Sequence, residues 1–191
     1  MIDDILAFWF GDGKLDDKTM QRWFRRDDAF DAQIREKFGA LHAKAAAGGL
    51  LDWFGDPHGE LALVLVLDQF SRNLYRDDPR AFAQDGRALA IANDLWFSGR
   101  AKTLTVPQRM FVLLPFQHSE DLSIQRTGVA EYEKLAAEPD APAMLAMALD
   151  FAKQHAAIIE RFGRFPHRNA VLGRESTPEE RAFLEQPGSR F

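Results

Sequence analysis

Proline and glycine punctuate this sequence as they punctuate helices, and that pattern constrains the fold more than any other feature. Asp56-Pro57 and Asp78-Pro79 each read as a capping aspartate followed by proline at the first helical position, where the missing N–H costs nothing. Thr177-Pro178-Glu179-Glu180 and Thr105-Val106-Pro107-Gln108 carry the reciprocal spacing of a capping box. Gly11, Gly48-Gly49, Gly99 and Gly163 stand where helices should stop. Between these marks the apolar residues recur at helical spacing. Phe30, Ile34, Phe38, Leu41 and Ala45 form one stripe; Phe82, Leu89, Ala92 and Trp96 a second; Phe151, His155, Ile158 and Phe162 a third. No run alternates apolar and polar residues between hairpin turns, so no strand is expected. The spacing predicts helices near 2–10, 18–25, 28–47, 58–75, 79–98, 106–118, 120–137, 141–162 and 178–185. Short connections make neighbouring helices antiparallel. The expected fold is all-α, a single domain over 1–191 built of stacked antiparallel helical hairpins.

Bulk chemistry removes several function classes. The chain has no cysteine, which excludes disulfides, thiolate catalysis and cysteine-held metal clusters. Its net charge is −5, the wrong sign for general nucleic-acid binding. The longest apolar run, Leu61–Leu67, is far too short to cross a bilayer. Two aspartates follow Met1, where a secretory leader would carry positive charge, so a cytoplasmic protein is expected. No Gly-rich phosphate loop, nucleophile elbow or dinucleotide fingerprint is present, and no cofactor is specified. Each tryptophan precedes a phenylalanine, at Trp9, Trp23, Trp53 and Trp96, and these pairs read as core anchors at helix ends.

Three polar segments could carry chemistry. In "LALVLVLDQFSRNLYRD", Asp68 and Arg72 are four residues apart and share a helix face, with Gln69, Asn73 and Arg76 beside them. In "LLPFQHSEDLSIQ", Pro115 should kink or end a helix, and Ser119 could cap the next one, with Glu120 and Asp121 in its first turn. Capping does not account for His118. A metal site would need His118, Glu120, His155 and Asp68 to converge, and no His-x-x-x-His spacing supports one, so no metal is assigned. Residues 161–174 contain Arg161, Arg164, Arg168 and Arg174 and no acidic residue. Such donors either tie down helix ends and carboxylates such as Asp68 and Asp121, or clamp a carboxylate or phosphate.

Together, "LDQFSRNLYR", "LLPFQHSEDLSIQ", "RFGRFPHRNAVLGRESTPEERAFL" and "ILAFWFG" resemble the domain-of-unknown-function 924 family of bacterial proteins, over essentially the whole chain. The resemblance implies a tetratricopeptide-repeat-like helical superhelix, here without regular repeats, and an uncharacterised function. It brings no established catalytic residues. It does mark Asp68, Gln69, Arg72, Asn73, His118, Ser119, Glu120, Asp121, Gly163, Arg164, Pro166, His167, Arg168 and Asn169 as motif positions.

Two readings follow. In the first, the segments line a pocket for a small anionic ligand. Asp68, His118 and His167 would handle protons, and Gln69, Arg72, Asn73, Asp121, Arg164, Arg168 and Asn169 would bind, with turnover by acid–base chemistry left open. In the second, the polar motifs are a structural network and the stacked helices hold a protein partner. Neither reading involves nucleic acid or a membrane.

Overall fold

The computed structural model describes residues 1–11, 17–139 and 141–189. It is all-α, with no strand among those residues. Backbone contacts divide the chain into two compact units, Met1–Arg76 with Arg80–Leu104, and Asp77–Pro79 with Thr105–Phe191.

The first unit contains α1 (Ile2–Phe10), α2 (Asp17–Phe24) and α3 (Asp28–Ala46), then α4 (Pro57–Val64), α5 (Ser71–Leu74) and α6 (Asp85–Phe97). The caps follow the sequence closely. Asp56 accepts hydrogen bonds from the His58 and Gly59 N–H groups, and Asp27 does the same for Ala29 and Phe30. Between α4 and α5 the chain stays helical but widens to a π-helical stretch, Leu65–Phe70. The run Leu61–Leu67 is buried throughout, as an all-apolar helix must be. Around it Phe30 stacks on Phe8 at 5.1 Å, and Phe70 meets Phe38 at 5.2 Å and Trp9 at 5.7 Å.

Three expectations here need correction. The helix expected over 79–98 is a single 3-10 turn, Pro79–Ala81, followed by α6 starting only at Asp85. Asp78-Pro79 therefore opens a turn, and the first helical carboxylate is Asp85, which Arg72 holds. The buried face of α6 is Ala88, Ile91, Ala92 and Leu95, rotated about one residue from the expected stripe. The Trp–Phe pairs also divide: Trp9, Trp23 and Trp53 are buried, whereas Phe24, Phe54 and Phe97 are exposed.

Close approach fixes one glycine. A Cβ on Gly59 would lie 2.5 Å from the Trp53 carbonyl oxygen, part of a backbone that cannot swing aside. Gly59→Ala should therefore cost about 1–3 kcal/mol by overpacking, although alanine is the better helix former. A denaturant midpoint equal to or above that of the parent would show that the contact relaxes freely.

The second unit contains α7 (Val106–His118), α8 (Leu122–Ala136), α9 (Met144–Phe162) and α10 (Pro178–Leu184). Pro115 does not break α7, which continues for one more turn to His118. The residue capping α8 is Asp121 rather than Ser119; its carboxylate accepts from the Ser123 and Ile124 N–H groups. Ser119 instead accepts from the Asp121 N–H at 3.1 Å. Gly163 adopts φ 68°, the left-handed conformation a helix stop requires, and its N–H closes α9 onto the Ile159 carbonyl at 2.8 Å. Beyond it, Phe165 is fully buried against Ile158 and Ile159. Phe151, placed on the α9 stripe by its spacing, is instead 44% exposed. Among the described residues, no helix is long and apolar enough to cross a membrane.

Candidate functional site

The first motif lies wholly within the first unit, on the π-helical stretch and the turn after it. Asp68 has no exposed surface. Arg72 donates through one nitrogen to the Asp68 carboxylate at 3.0 Å and to the Asp68 carbonyl at 2.9 Å. The same guanidinium forms paired bonds to Asp85 at 2.9 and 3.0 Å, and Gln69 donates to Asp68 at 2.6 Å. Burial alone would lower the pKa of Arg72, but the charges of Asp68 and Asp85 and the hydrogen bond to Asp85 outweigh it and raise it. Asn73 turns to a different carboxylate, Asp31, at 2.7 Å, which Arg76 also grips. The residues the sequence groups as one motif thus form two neighbouring ion clusters, each centred on a buried aspartate.

Behind them, Ser71 donates to the Leu67 carbonyl at 2.6 Å, so His42 Nε2 must be the donor in its 2.8 Å bond to Ser71 Oγ. That fixes His42 as the neutral Nε2–H tautomer, and burial lowers its pKa.

The other two motifs belong to the second unit, where most of the acid-free arginine run has carboxylate partners drawn from elsewhere. Arg164 makes paired bonds to Glu180 at 2.6 and 2.8 Å. Glu180 also accepts from the Thr177 N–H at 2.7 Å and from Asn169 at 3.3 Å. The Arg164 hydrogen bond, together with those from Thr177 and Asn169, holds Glu180 down to a pKa of about 2 against the opposing effect of burial. Arg174 makes paired bonds to Glu120 at 2.7 and 2.9 Å. Arg174 also donates to the Phe165 carbonyl, and Glu120 accepts from the Phe165 N–H, so both polar groups of the Phe165 backbone are fixed. Burial pushes the Glu120 pKa upward, but the bonds from Arg174 and Phe165 and the charges of Arg174 and Arg168 hold it below the usual range. The carboxylates that anchor this loop are therefore Glu120 and Glu180. Asp121, one of the anchors expected from the sequence, is engaged at the start of α8, where the bond from the Ser123 hydroxyl and then those from the Ser123 and Ile124 N–H groups lower its pKa.

With the loop fixed, its basic side chains converge on one ring. The Arg168 guanidinium lies over Phe165 at 4.5 Å, within cation–π range. His155 packs edge-on to the same ring at 5.6 Å, and His167 lies against it at 5.5 Å. His118 completes the group, 6.4 Å from His155. Arg168 and His155 are buried, whereas His118 and His167 are half-buried and reach solvent. The Phe151 carbonyl accepts from His155 Nδ1 at 2.8 Å, which sets the Nδ1–H tautomer. Burial above all, with the charges of His118, His167 and Arg168 adding to it, lowers the pKa of His155 to about 3 against the raising effect of that bond. Among the described residues, no group of three or more histidine, aspartate or glutamate side chains is arranged to hold a metal ion.

Residues 5–188 match the family described as bacterial protein of unknown function, DUF924. The chain belongs to the DUF924 family. A solved structure titled as a protein of unknown function, ATU0120 from Agrobacterium tumefaciens, superposes with a TM-score of 0.82 at 36% identity, covering 96% of each chain. No curated protein matches the sequence. Within this DUF924 chain the marked motif residues fall into the two sets described, Asp68, Gln69, Arg72 and Asn73 in one unit and His118 to Asp121 with Gly163 to Asn169 in the other. Sequence spacing finds Asp68 with Arg72 because helix geometry makes them neighbours. It does not find Asp31, Asp85 or the anchoring roles of Glu120 and Glu180, whose partners lie 13 to 54 residues away.

Proposed function

We propose that this DUF924 protein binds a small anion at the corner formed by His118, His167, Arg168 and His155. The observation that carries the reading is the gathering of two imidazoles, His155 and His167, and the Arg168 guanidinium around the buried Phe165 ring, with His118 beside His155, while the adjacent carboxylate, Glu120, is taken up by Arg174. Basic groups held at a low-dielectric edge attract a phosphate or carboxylate more strongly than they would in water. Two of them, His118 and His167, reach solvent and would make first contact. Arg168, braced on Phe165, would supply the permanent charge.

Any acid–base step would then fall to His118 or His167, the two imidazoles of the group that reach solvent and so can exchange protons with a bound ligand. His155, with a pKa of about 3, would stay neutral and act as a packing and polar wall. Asp68 and Arg72 are bonded to each other, and Arg72 to Asp85, within the first unit.

Inorganic phosphate is a sufficient probe. At about ten times its dissociation constant it should stabilise the protein by about 1.4 kcal/mol, a rise of about 4 °C in melting temperature over sodium chloride of equal ionic strength. His118→Gln with His167→Gln should remove most of that rise without lowering the starting melting temperature by more than a few degrees. An equal rise in the double variant would overturn the site.

A further inference from the structure

A second surface lies on the α8–α9 pair, lined by none of the four residues of the proposed anion site. Arg126 on α8 pairs with Glu160 on α9 at 2.8 Å, and Glu133 on α8 pairs with Lys153 on α9 at 2.9 Å. These pairs show that the two helices run antiparallel. They lie at opposite ends of an open depression of about 260 Å³ whose floor includes Val129, Ala130, Ala156 and Ala157. The four charged side chains are 51–65% exposed, so each can make a second contact.

The sense of the two pairs alternates. Along the face, α8 presents a cation and then an anion, while α9 beside it presents an anion and then a cation. A partner of uniform charge would be repelled by half of this pattern. A second copy of the same face would not be. A two-fold axis lying in the face, parallel to the helices, sets each helix over its neighbour; an axis across the helices sets each over itself reversed. In both arrangements every cation faces an anion, while the small side chains of the floor let the two backbones approach.

We propose that the α8–α9 face docks against the same face of a second copy of this chain. α8 has 15 residues, so the face is about 22 Å long and two helices wide, at the small end for a stable interface. The association is accordingly weak, micromolar or above, and weakens with salt because its polar part is exposed.

Sedimentation velocity of the full chain from about 10 to 300 μM tests this. The parent protein should show a monomer–dimer equilibrium that shifts toward monomer when sodium chloride rises from about 0.05 to 0.5 M. Arg126→Glu with Lys153→Glu makes the face all-anionic; Glu133→Lys with Glu160→Lys makes it all-cationic. Each variant alone should lose at least tenfold in self-association, and an equimolar mixture should form a heterodimer tighter than the parent dimer. Thermal melts and circular dichroism confirm that both variants fold. A parent that stays monomeric throughout, charge-reversed variants that dimerise as the parent does, or variants that fail to pair when mixed would each overturn the proposal.

Discussion

Arg72→Met should lower the melting temperature by about 10 °C or more, the largest effect expected of a single substitution in the first unit. Asp68 has no exposed surface, and Arg72 pairs with it at 3.0 Å. Breaking a buried ion pair by removing one partner costs about 3–5 kcal/mol. For a chain of this size each kcal/mol is worth about 2–4 °C. Asp85 loses its paired bonds at the same time, but it keeps some access to water and its loss is smaller. Adding Asp68→Asn to Arg72→Met removes the buried negative charge that Arg72 offset and should recover at least half of the lost stability. A single variant within about 1 kcal/mol of the parent would show that Asp68 is protonated or solvated and that the pair does not hold the π-helical stretch.

A second large effect concerns pH. His155 and His42 are both buried and neutral in the folded protein, with pKa values below that of an unfolded histidine, near 6.5. Above that value neither state binds a proton and the histidines contribute no pH dependence. As pH falls below it, the unfolded chain takes up protons that the folded chain refuses, so stability declines. For His155 the decline continues until pH approaches its folded value of about 3. At pH 5 it amounts to about 2 kcal/mol from His155, with His42 adding in the same direction. The carboxylates act later. Glu180, depressed from 4.5 to about 2, stabilises the fold above 4.5 and loses that contribution only below it. Denaturant unfolding between pH 7 and 5 therefore isolates the histidines. His155→Gln should flatten the slope in that window by about 2 kcal/mol. An unchanged slope would mean that His155 takes up a proton in the folded state as readily as in the unfolded one.

The sequence carries local information well and long-range pairing poorly. The Asp56 and Thr177 caps, the Gly163 stop and the Asp68–Arg72 pair all involve residues within five positions of each other, where helix geometry determines who meets whom. The π-helical stretch left no mark, because an apolar run is compatible with either winding. Asp78-Pro79 misleads because a capping aspartate and a proline favour a first turn without obliging a second. The stripe on α6 is off by about one residue because Leu89 and Ala92 fit either of two overlapping faces, and packing chose the one with Ala88 and Leu95.

At the candidate site the sequence showed an arginine run without acids but not where its partners lay. Glu120 precedes Arg174 by 54 residues, and only the packing of the second unit brings them together. Arg168 and His167 were legible as donors on a proline-held segment. Phe165 was legible as an aromatic interleaved with the arginines, but not as the ring on which Arg168, His155 and His167 meet. His155 read as part of a helix stripe, and its place beside His118 depends on how α9 crosses α7.

The anion site rests on His118 and His167, and their imidazole resonances report on it directly. The protein has five histidines, His42, His58, His118, His155 and His167, so each ring can be assigned by single substitution in a long-range proton–nitrogen spectrum. Titration with inorganic phosphate at constant ionic strength should shift His118 and His167 along one saturable curve and leave buried His42 and exposed His58 where they are. Equal drift of all five rings, or no movement of His118 and His167 up to tens of millimolar phosphate, would contradict the site.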